Sequence, residues 1–188
     1  MNEECVVSKA EELKDQGTQL FHQRDYEAAA RIFQQAMNAY EEDGQADMVA
    51  EMKVNIGLVH RALGEYQQGL DMMQEALNIF QDANDALRSA KVLGNMGGVY
   101  SGLGDKEQAY NCYRQAADIF EELGEKELHG ETLVALGSLQ IREGKISSGA
   151  ATYSAGLESI GNLSASQKII KGLTGVINKF TGGSKGDS

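Results

Sequence analysis

The chain lacks proline and tryptophan altogether, and it has only two cysteines among its 188 residues. Runs of glutamine, glutamate and alanine alternate with aliphatic residues instead, a composition that suits helices and offers little to strands. The length fits one ordinary domain, and a hydrophobic fraction of 41% is enough to bury a core. We therefore expect an all-α fold.

The two cysteines, Cys5 and Cys112, are far apart in the sequence and stand in no CxxC or CxxH context. Metal binding is therefore not expected, and both thiols should be reduced. The sequence also has no run of 18 apolar residues, and its N-terminus has no basic segment followed by an apolar stretch. We expect neither a membrane span nor a signal peptide, and hence a cytoplasmic protein.

Positive charge is scarce, with 17 Lys and Arg against 28 Asp and Glu. Residues 1–160 carry a net charge of −14, whereas the last 28 residues carry +3. Phosphate binding needs clustered cations, so the acidic body argues against nucleic acid as a partner. It favours partners with basic segments, although the charge can equally serve solubility alone.

Catalytic motifs are also lacking. The three histidines, His22, His60 and His129, are far apart, and the sequence contains no HExxH, no GxSxG and no phosphate-binding glycine loop before a lysine. Because catalysis needs a nucleophile, an acid or a base brought together in one site, we expect no enzymatic activity, no catalytic residue and no cofactor.

The feature that the sequence does have is an internal repeat with a period of 40 residues. It divides the chain at about 10–49, 50–89, 90–129 and 130–163. Small residues recur in four columns: Ala10, Ala50, Ala90 and Gly130; Gly17, Gly57, Gly97 and Gly137; Ala29, Gly69, Ala109 and Gly149; Ala36, Ala76, Ala116 and Gly156. Large residues recur between them, as in Phe33, Met73, Tyr113 and Tyr153, and in Tyr40, Phe80, Phe120 and Ile160.

Each repeat has helical apolar spacing interrupted once by a short turn, at residues 23–25, 63–65, 103–105 and 143–145. Further helix stops fall between the repeats, at 42–44, 82–84 and 123–125. Every repeat is therefore predicted to be two antiparallel helices. The small columns should let the two helices approach closely, with the large residues filling the space opposite.

Segments such as NIGLVHRALGEYQQGLDMMQEAL (55–77) and NMGGVYSGLGDKEQAYNCYRQAA (95–117) resemble tetratricopeptide repeats, and the resemblance covers residues 10–161. The 40-residue period is similar to that of kinesin light chains and of the spindle-orientation adaptor LGN. The resemblance implies a right-handed α-solenoid of four helix-turn-helix units, which acts as a non-enzymatic adaptor or scaffold and binds a segment of another protein on its concave face. The chain departs from the family in lacking the closing proline, and Gly130, Gln140, Gly149 and Gly156 weaken the pattern in the fourth unit, which a terminal unit can tolerate.

The resemblance also places the first helix of each unit on the concave surface, which predicts the groove residues. We single out Lys14, Thr18, Val54, Asn55, Leu58, Lys91, Asn95, Gly98, Ser138 and Arg142. Asn55 and Asn95 occupy the same register, and stacked amides can both donate and accept hydrogen bonds from a peptide backbone. The alternative is that they cap or bridge neighbouring helices.

Two further groove interpretations remain open. Lys14, Asn55 and Lys91 coincide with part of the carboxylate clamp with which some tetratricopeptide proteins bind the tails of heat-shock chaperones, but Thr18 and Asn95 depart from it. Gly94, Gly98 and Gly102 recur every four residues along one side of a helix. They either leave a bare floor for a partner's backbone or allow a neighbouring helix to pack closely.

The C-terminal segment 164–181 is predicted to be an amphipathic helix. Its apolar residues fall on one side, with lysines opposite. We expect it to cap the last repeat. The alternatives are that residues 165–180 anchor the protein to an anionic membrane surface, or that the helix fills the groove. Residues 182–188 read as a disordered tail. We expect a monomer whose partner is a protein segment with basic residues or apolar anchors, and the alternative is self-assembly through the outer helices or the end edges.

Overall fold

A computed structural model of the protein describes residues 8–160. Within this range all regular secondary structure is α-helical, which confirms the all-α prediction. The helices are α1 (Lys9–His22), α2 (Tyr26–Glu42), α3 (Ala46–Leu63), α4 (Tyr66–Asp82), α5 (Ala86–Leu103), α6 (Lys106–Leu123), α7 (Lys126–Arg142) and α8 (Ile146–Ser159). The predicted helix 164–181 and tail 182–188 lie outside the described residues.

The chain forms two compact units, Met1–Leu103 and Gly104–Ser188. The first contains α1 to α5 and the second α6 to α8. The length had suggested one domain, but a chain of repeats has no single core, because each helix pair contacts only its neighbours. None of the helices in residues 8–160 is long and apolar enough to cross a membrane.

The turns follow a simple rule: one residue in the left-handed conformation recurs every 20 residues. Five of these residues are glycines, for which a positive φ carries no steric cost. The left-handed residues are Arg24, Gly44, Gly64, Asn84, Gly104, Gly124 and Gly144. Each lies in one of the turns that the sequence predicted.

Four of the eight helices within residues 8–160 begin at a side chain that accepts a hydrogen bond. Ser8, Asp25, Asp85 and Asp105 each accept a hydrogen bond from the backbone N–H three residues further on, which satisfies one of the free donors of the first helical turn. Helices α3, α5 and α7 begin four residues before the repeat boundaries at 50, 90 and 130. The difference arises because the repeat columns mark the first buried small residue, and each helix begins one turn earlier.

In the first unit the small and large columns form the core. Consecutive helices pack against one another, and α3 also contacts α5 directly. Phe33, Tyr40, Met73 and Phe80 are at most 2% exposed, and they fill the space beside the small residues. The residues of the small columns that are buried in this unit are Ala10, Gly17, Ala29, Ala36, Ala50, Gly57, Gly69, Ala76, Ala90 and Gly97.

In the second unit, α7 and α8 pack through glycine. A Cβ atom built on Gly130 or Gly156 would lie 2.5–2.6 Å from the other residue's carbonyl oxygen. The same holds for Gly137 and Gly149, at 2.7–2.9 Å. Gly130, Gly149 and Gly156 were expected to weaken the fourth repeat. The geometry gives them a different role, because only glycine at all four positions allows the two backbones to come this close.

Candidate functional site

The first unit contains a groove of about 560 Å³ between α3 and α5. Its floor and walls combine apolar side chains with charged and amide groups. The lining residues are Glu51, Val54 and Asn55 from α3, Phe80 from α4, Asp85 from the following turn, and Leu87, Arg88, Lys91 and Val92 from α5. Five of these nine residues are polar or charged, and four are apolar.

Three of the ten predicted groove residues meet in this groove: Val54, Asn55 and Lys91. Val54 and Asn55 are half-buried, while Lys91 is exposed at the rim. They come together because α3 and α5 contact one another directly and present the same repeat register. The repeat pattern therefore placed residues 37 positions apart in one groove.

Arg88 and Phe80 are lining residues that the sequence did not predict for the groove. The Arg88 guanidinium lies 4.7 Å from the Phe80 ring centre, within the range of a cation–π interaction. Its Nε donates to Asp85 Oδ2 at 2.6 Å, and its Nη1 faces Asp47 at 3.2 Å and Glu51 at 3.4 Å. A signal existed: Arg88 occupies a column in which the neighbouring repeats have Met48 and Leu128.

Asp85 caps the N-terminus of α5. Its Oδ1 accepts the backbone N–H of Arg88 at 2.8 Å, so that one carboxylate both caps the helix and holds the guanidinium. The hydrogen bond from the Arg88 backbone lowers the pKa of Asp85, followed by the side-chain hydrogen bond and the charges of Arg88 and Lys91, against the opposing effect of burial. The groove therefore has a fixed anionic corner.

The two asparagines differ in position. Asn55 lines the groove, whereas Asn95, one repeat further along in the same register, is half-buried and does not line it. Among residues 8–160 neither amide has a hydrogen-bond partner. This geometry does not support the alternative that they cap or bridge helices, and it leaves the Asn55 amide available to a ligand in the groove.

Lys14 and Thr18, on α1, are occupied by their own helix. Lys14 forms an ion pair with Glu11, and the Thr18 hydroxyl donates to the Lys14 carbonyl at 2.9 Å. Glu11 also accepts from the buried Tyr40 hydroxyl at 2.8 Å. These hydrogen bonds from Lys14 and Tyr40 lower the pKa of Glu11, whereas burial, and then Glu11, raise that of Tyr40. The structure does not bring Lys14 and Thr18 into the groove.

Leu58 and Gly98 are half-buried and lie outside the groove lining. The neighbouring glycines of α5 divide between the two interpretations of their spacing. A Cβ atom on Gly94 would meet nothing within 4 Å, so this position is open, whereas one on Gly102 would lie 2.5 Å from the Tyr66 ring. Gly94 thus leaves the surface of α5 uncovered, whereas Gly102 leaves room for the Tyr66 side chain to pack against α5.

Ser138 and Arg142 belong to α7 in the second unit. The Ser138 hydroxyl donates to the Val134 carbonyl at 2.8 Å, and Arg142 Nε donates to the Ser138 carbonyl at 3.4 Å. Both predicted residues thus interact with their own helix. Within residues 8–160 no cluster of His, Cys, Asp and Glu side chains has the arrangement to hold a metal ion.

Short antiparallel helices with recurring small columns define a helical-repeat protein. The model of one such family, described as tetratricopeptide repeat, matches residues 11–82 and, in an overlapping second match, residues 48–122. Because the matches together span residues 11–122, more than half of the chain, the protein belongs to the tetratricopeptide repeat family. The resemblance inferred from the sequence is confirmed.

Two solved structures are similar in fold. The crystal structure of BtubC (BKLC) from P. vanneervenii has a TM-score of 0.64 and 17% identity over 98% of this chain and 70% of its own. The apo form of RapI has a TM-score of 0.74 and 17% identity over 92% of this chain, which spans 50% of the RapI chain. At this identity the likeness concerns the fold alone. No curated protein sequence matches the chain.

Proposed function

We propose that this protein is a non-enzymatic adaptor that binds a segment of a partner protein in the groove between α3 and α5. Tetratricopeptide repeats are in general protein-interaction modules without catalytic activity, and the family is established here by residues 11–122. The observation that carries the proposal is the groove itself, in which an unpartnered amide, Asn55, stands beside the apolar Val54 and the exposed Lys91.

The groove suits an extended or helical peptide better than a small molecule. It is open to one side, and its polar groups lie along two neighbouring helices instead of converging on one point. The Asn55 amide can donate to and accept from a peptide backbone, and the apolar floor can take one anchoring side chain. Gly94 adds bare surface on α5, where a partner can come close to the helix backbone.

Site-specific photo-crosslinking tests this proposal. A benzoylphenylalanine at position 54 is expected to capture a defined partner from lysate of the source cells, and one at position 71, on the exposed side of α4, is expected not to. Asn55→Ala should reduce capture at position 54. Asn78→Ala is the matched control, because Asn78 is exposed on α4 and away from the groove. Equal capture at positions 54 and 71, or capture indifferent to Asn55→Ala, contradicts the proposal.

Residues 165–180 carry a second candidate function, that of anchoring the adaptor to a membrane surface. The supporting observation is the sequence pattern, in which lysines stand opposite an apolar side. Flotation with anionic vesicles tests it. Vesicle binding by the full chain that is lost when the chain ends at residue 163 supports the anchor, and a full chain that does not float contradicts it.

A further inference from the structure

The lining of the groove carries two acidic and two basic side chains, and Asp47, which does not line the groove but contacts Arg88, adds a third carboxylate. Three carboxylates, Asp47, Glu51 and Asp85, surround the single guanidinium of Arg88. The surroundings reinforce the imbalance, because residues 8–103 carry 8 Lys and Arg against 15 Asp and Glu. A peptide that enters the groove therefore meets a negative potential.

The three carboxylates are not equally engaged. Asp85 lies 2.6 Å from Arg88 Nε, is 25% exposed and also caps α5. Asp47 and Glu51, on α3, lie 3.2 and 3.4 Å from Arg88 Nη1 and are 52% and 38% exposed. Charge-assisted hydrogen bonds are usually shorter, at about 2.7–2.9 Å. Asp47 and Glu51 therefore keep lone pairs and solvent access for a second cation.

The positive charge of Lys91 does not neutralise Asp47 and Glu51. It is exposed at the rim of the groove on α5, and its charge helps to lower the pKa of Asp85. It forms no ion pair within residues 8–160. One lysine beside an already compensated Asp85 leaves Asp47 and Glu51 as the unsaturated groups.

The apolar floor lies next to these carboxylates. Val54, one turn along α3 from Glu51, lines the groove with Phe80 and Leu87. When a bound peptide places an aliphatic or aromatic side chain there, a side chain one or two residues further along the same peptide can reach Asp47 and Glu51. Phe80 is 1% exposed and the Arg88 guanidinium covers its face, so Val54 and Leu87 offer the apolar surface that a partner can reach.

From these observations we infer that the groove binds a peptide segment in which a Lys or Arg side chain stands close to an aliphatic or aromatic anchor. The partner's cation is received by Asp47 and Glu51, and the anchor by the half-buried Val54 and Leu87 of the lining. Arg88 is the protein's own competitor for the two carboxylates and thereby tunes affinity. This inference rests on the proposed function and adds the chemistry of the partner.

Selection of random peptides displayed on phage against the immobilised full chain tests the inference. Synthetic versions of the selected peptides, blocked at both ends, are then measured by fluorescence anisotropy. We expect enrichment of Lys or Arg beside an apolar residue, and affinity that falls as salt rises. Asp47→Asn combined with Glu51→Gln should weaken binding about tenfold, a size typical of removing a charge partner.

Arg88→Gln should act in the opposite direction. Removing the competing guanidinium leaves Asp47 and Glu51 to the peptide, so affinity should rise several-fold even though the fold is destabilised. Arg31→Gln, on the exposed side of α2, is the control for a general change in net charge. Circular dichroism establishes that each variant is folded at the assay temperature.

Two results overturn the inference and differ in what they mean. Selected peptides rich in Asp or Glu, with affinity lost in Lys91→Gln, show that the groove binds acidic segments; the proposed function then stands and the partner chemistry is wrong. Selected peptides whose affinity is unchanged by Asn55→Ala and by the Asp47 and Glu51 changes bind elsewhere, and both proposals then fail.

Discussion

Gly137 of α7 and Gly149 of α8 face one another so closely that a Cβ atom on either would lie 2.7–2.9 Å from the other's carbonyl oxygen. Main-chain atoms cannot move aside as a flexible side chain can. This contact and its counterpart between Gly130 and Gly156 determine how near the two helices approach. The first prediction follows from this geometry.

Gly137→Ala should lower the free energy of unfolding by about 1–3 kcal/mol, because the added methyl group forces α7 and α8 apart. Gly94→Ala is the matched control. A Cβ atom at Gly94 meets nothing within 4 Å, so alanine there should add about 0.5–1 kcal/mol through its better helix propensity. Urea unfolding followed by circular dichroism measures both. Equal effects of the two substitutions would show that the glycine contact does not limit the approach of α7 and α8.

Arg24→Gly should raise the free energy of unfolding by up to about 1 kcal/mol. Arg24 has a φ of 64°, which is strained for a residue with a side chain, whereas Gly64 occupies the corresponding turn of the next repeat. Gly64→Ala should produce the opposite change of similar size, and no atom lies near enough to add a steric term. Thermal unfolding of the two variants tests the pair, and a less stable Arg24→Gly variant contradicts the assignment of strain.

Tyr40→Phe should cost about 1 kcal/mol at neutral pH, because the hydroxyl of this 1% exposed side chain donates to Glu11 at 2.8 Å. The pKa of folded Tyr40 is raised above its usual value by burial and by Glu11. The contribution of the Tyr40 hydroxyl to the free energy of unfolding is therefore complete below about pH 10, and it is lost as the pH rises towards the folded pKa. The stability difference between wild type and Tyr40→Phe should narrow above pH 10. A difference that is constant to higher pH would contradict this.

Asp85→Ala should destabilise the first unit by about 1–2 kcal/mol, since it removes both the cap of α5 and the closest partner of Arg88. The folded pKa of Asp85 is lowered, so its contribution is present above the unfolded value and is lost as pH falls through the folded pKa. The difference from wild type should therefore shrink in acid. Asp82→Ala, exposed on α4, is the control and should change stability little.

Much of the fold was accessible from the sequence because the determinants are periodic. The recurrence of Gly17, Gly57 and Gly97 placed the small contacts between helices, and most turns were recognised through a glycine or an asparagine. Arg24 is the exception, since nothing in its side chain marks a left-handed residue. Of the ten residues that the resemblance places in the groove, Val54, Asn55 and Lys91 line it together.

The remaining details depend on distances that a pattern does not contain. Arg88 could contact Asp47, Glu51 or solvent, and the position of its guanidinium over the Phe80 ring determines which of them it contacts. The ion pair between Lys14 and Glu11 likewise depends on side-chain geometry that the repeat pattern does not contain. Gly130, Gly149 and Gly156 appeared to weaken the fourth repeat, because the sequence shows the missing side chains and not the distance between the two helix backbones.

That closeness has a consequence for how the α7–α8 pair tolerates change. In α1 and α2 the contact at Gly17 is against the Phe33 ring, so a substitution at Phe33 can alter the separation of the helix axes. Between α7 and α8 the spacing is set by peptide groups, which every amino acid shares. Substitutions that change side-chain volume elsewhere along these two helices should therefore leave the distance between the helices nearly constant. A larger side chain at any of the four glycines should not be tolerated.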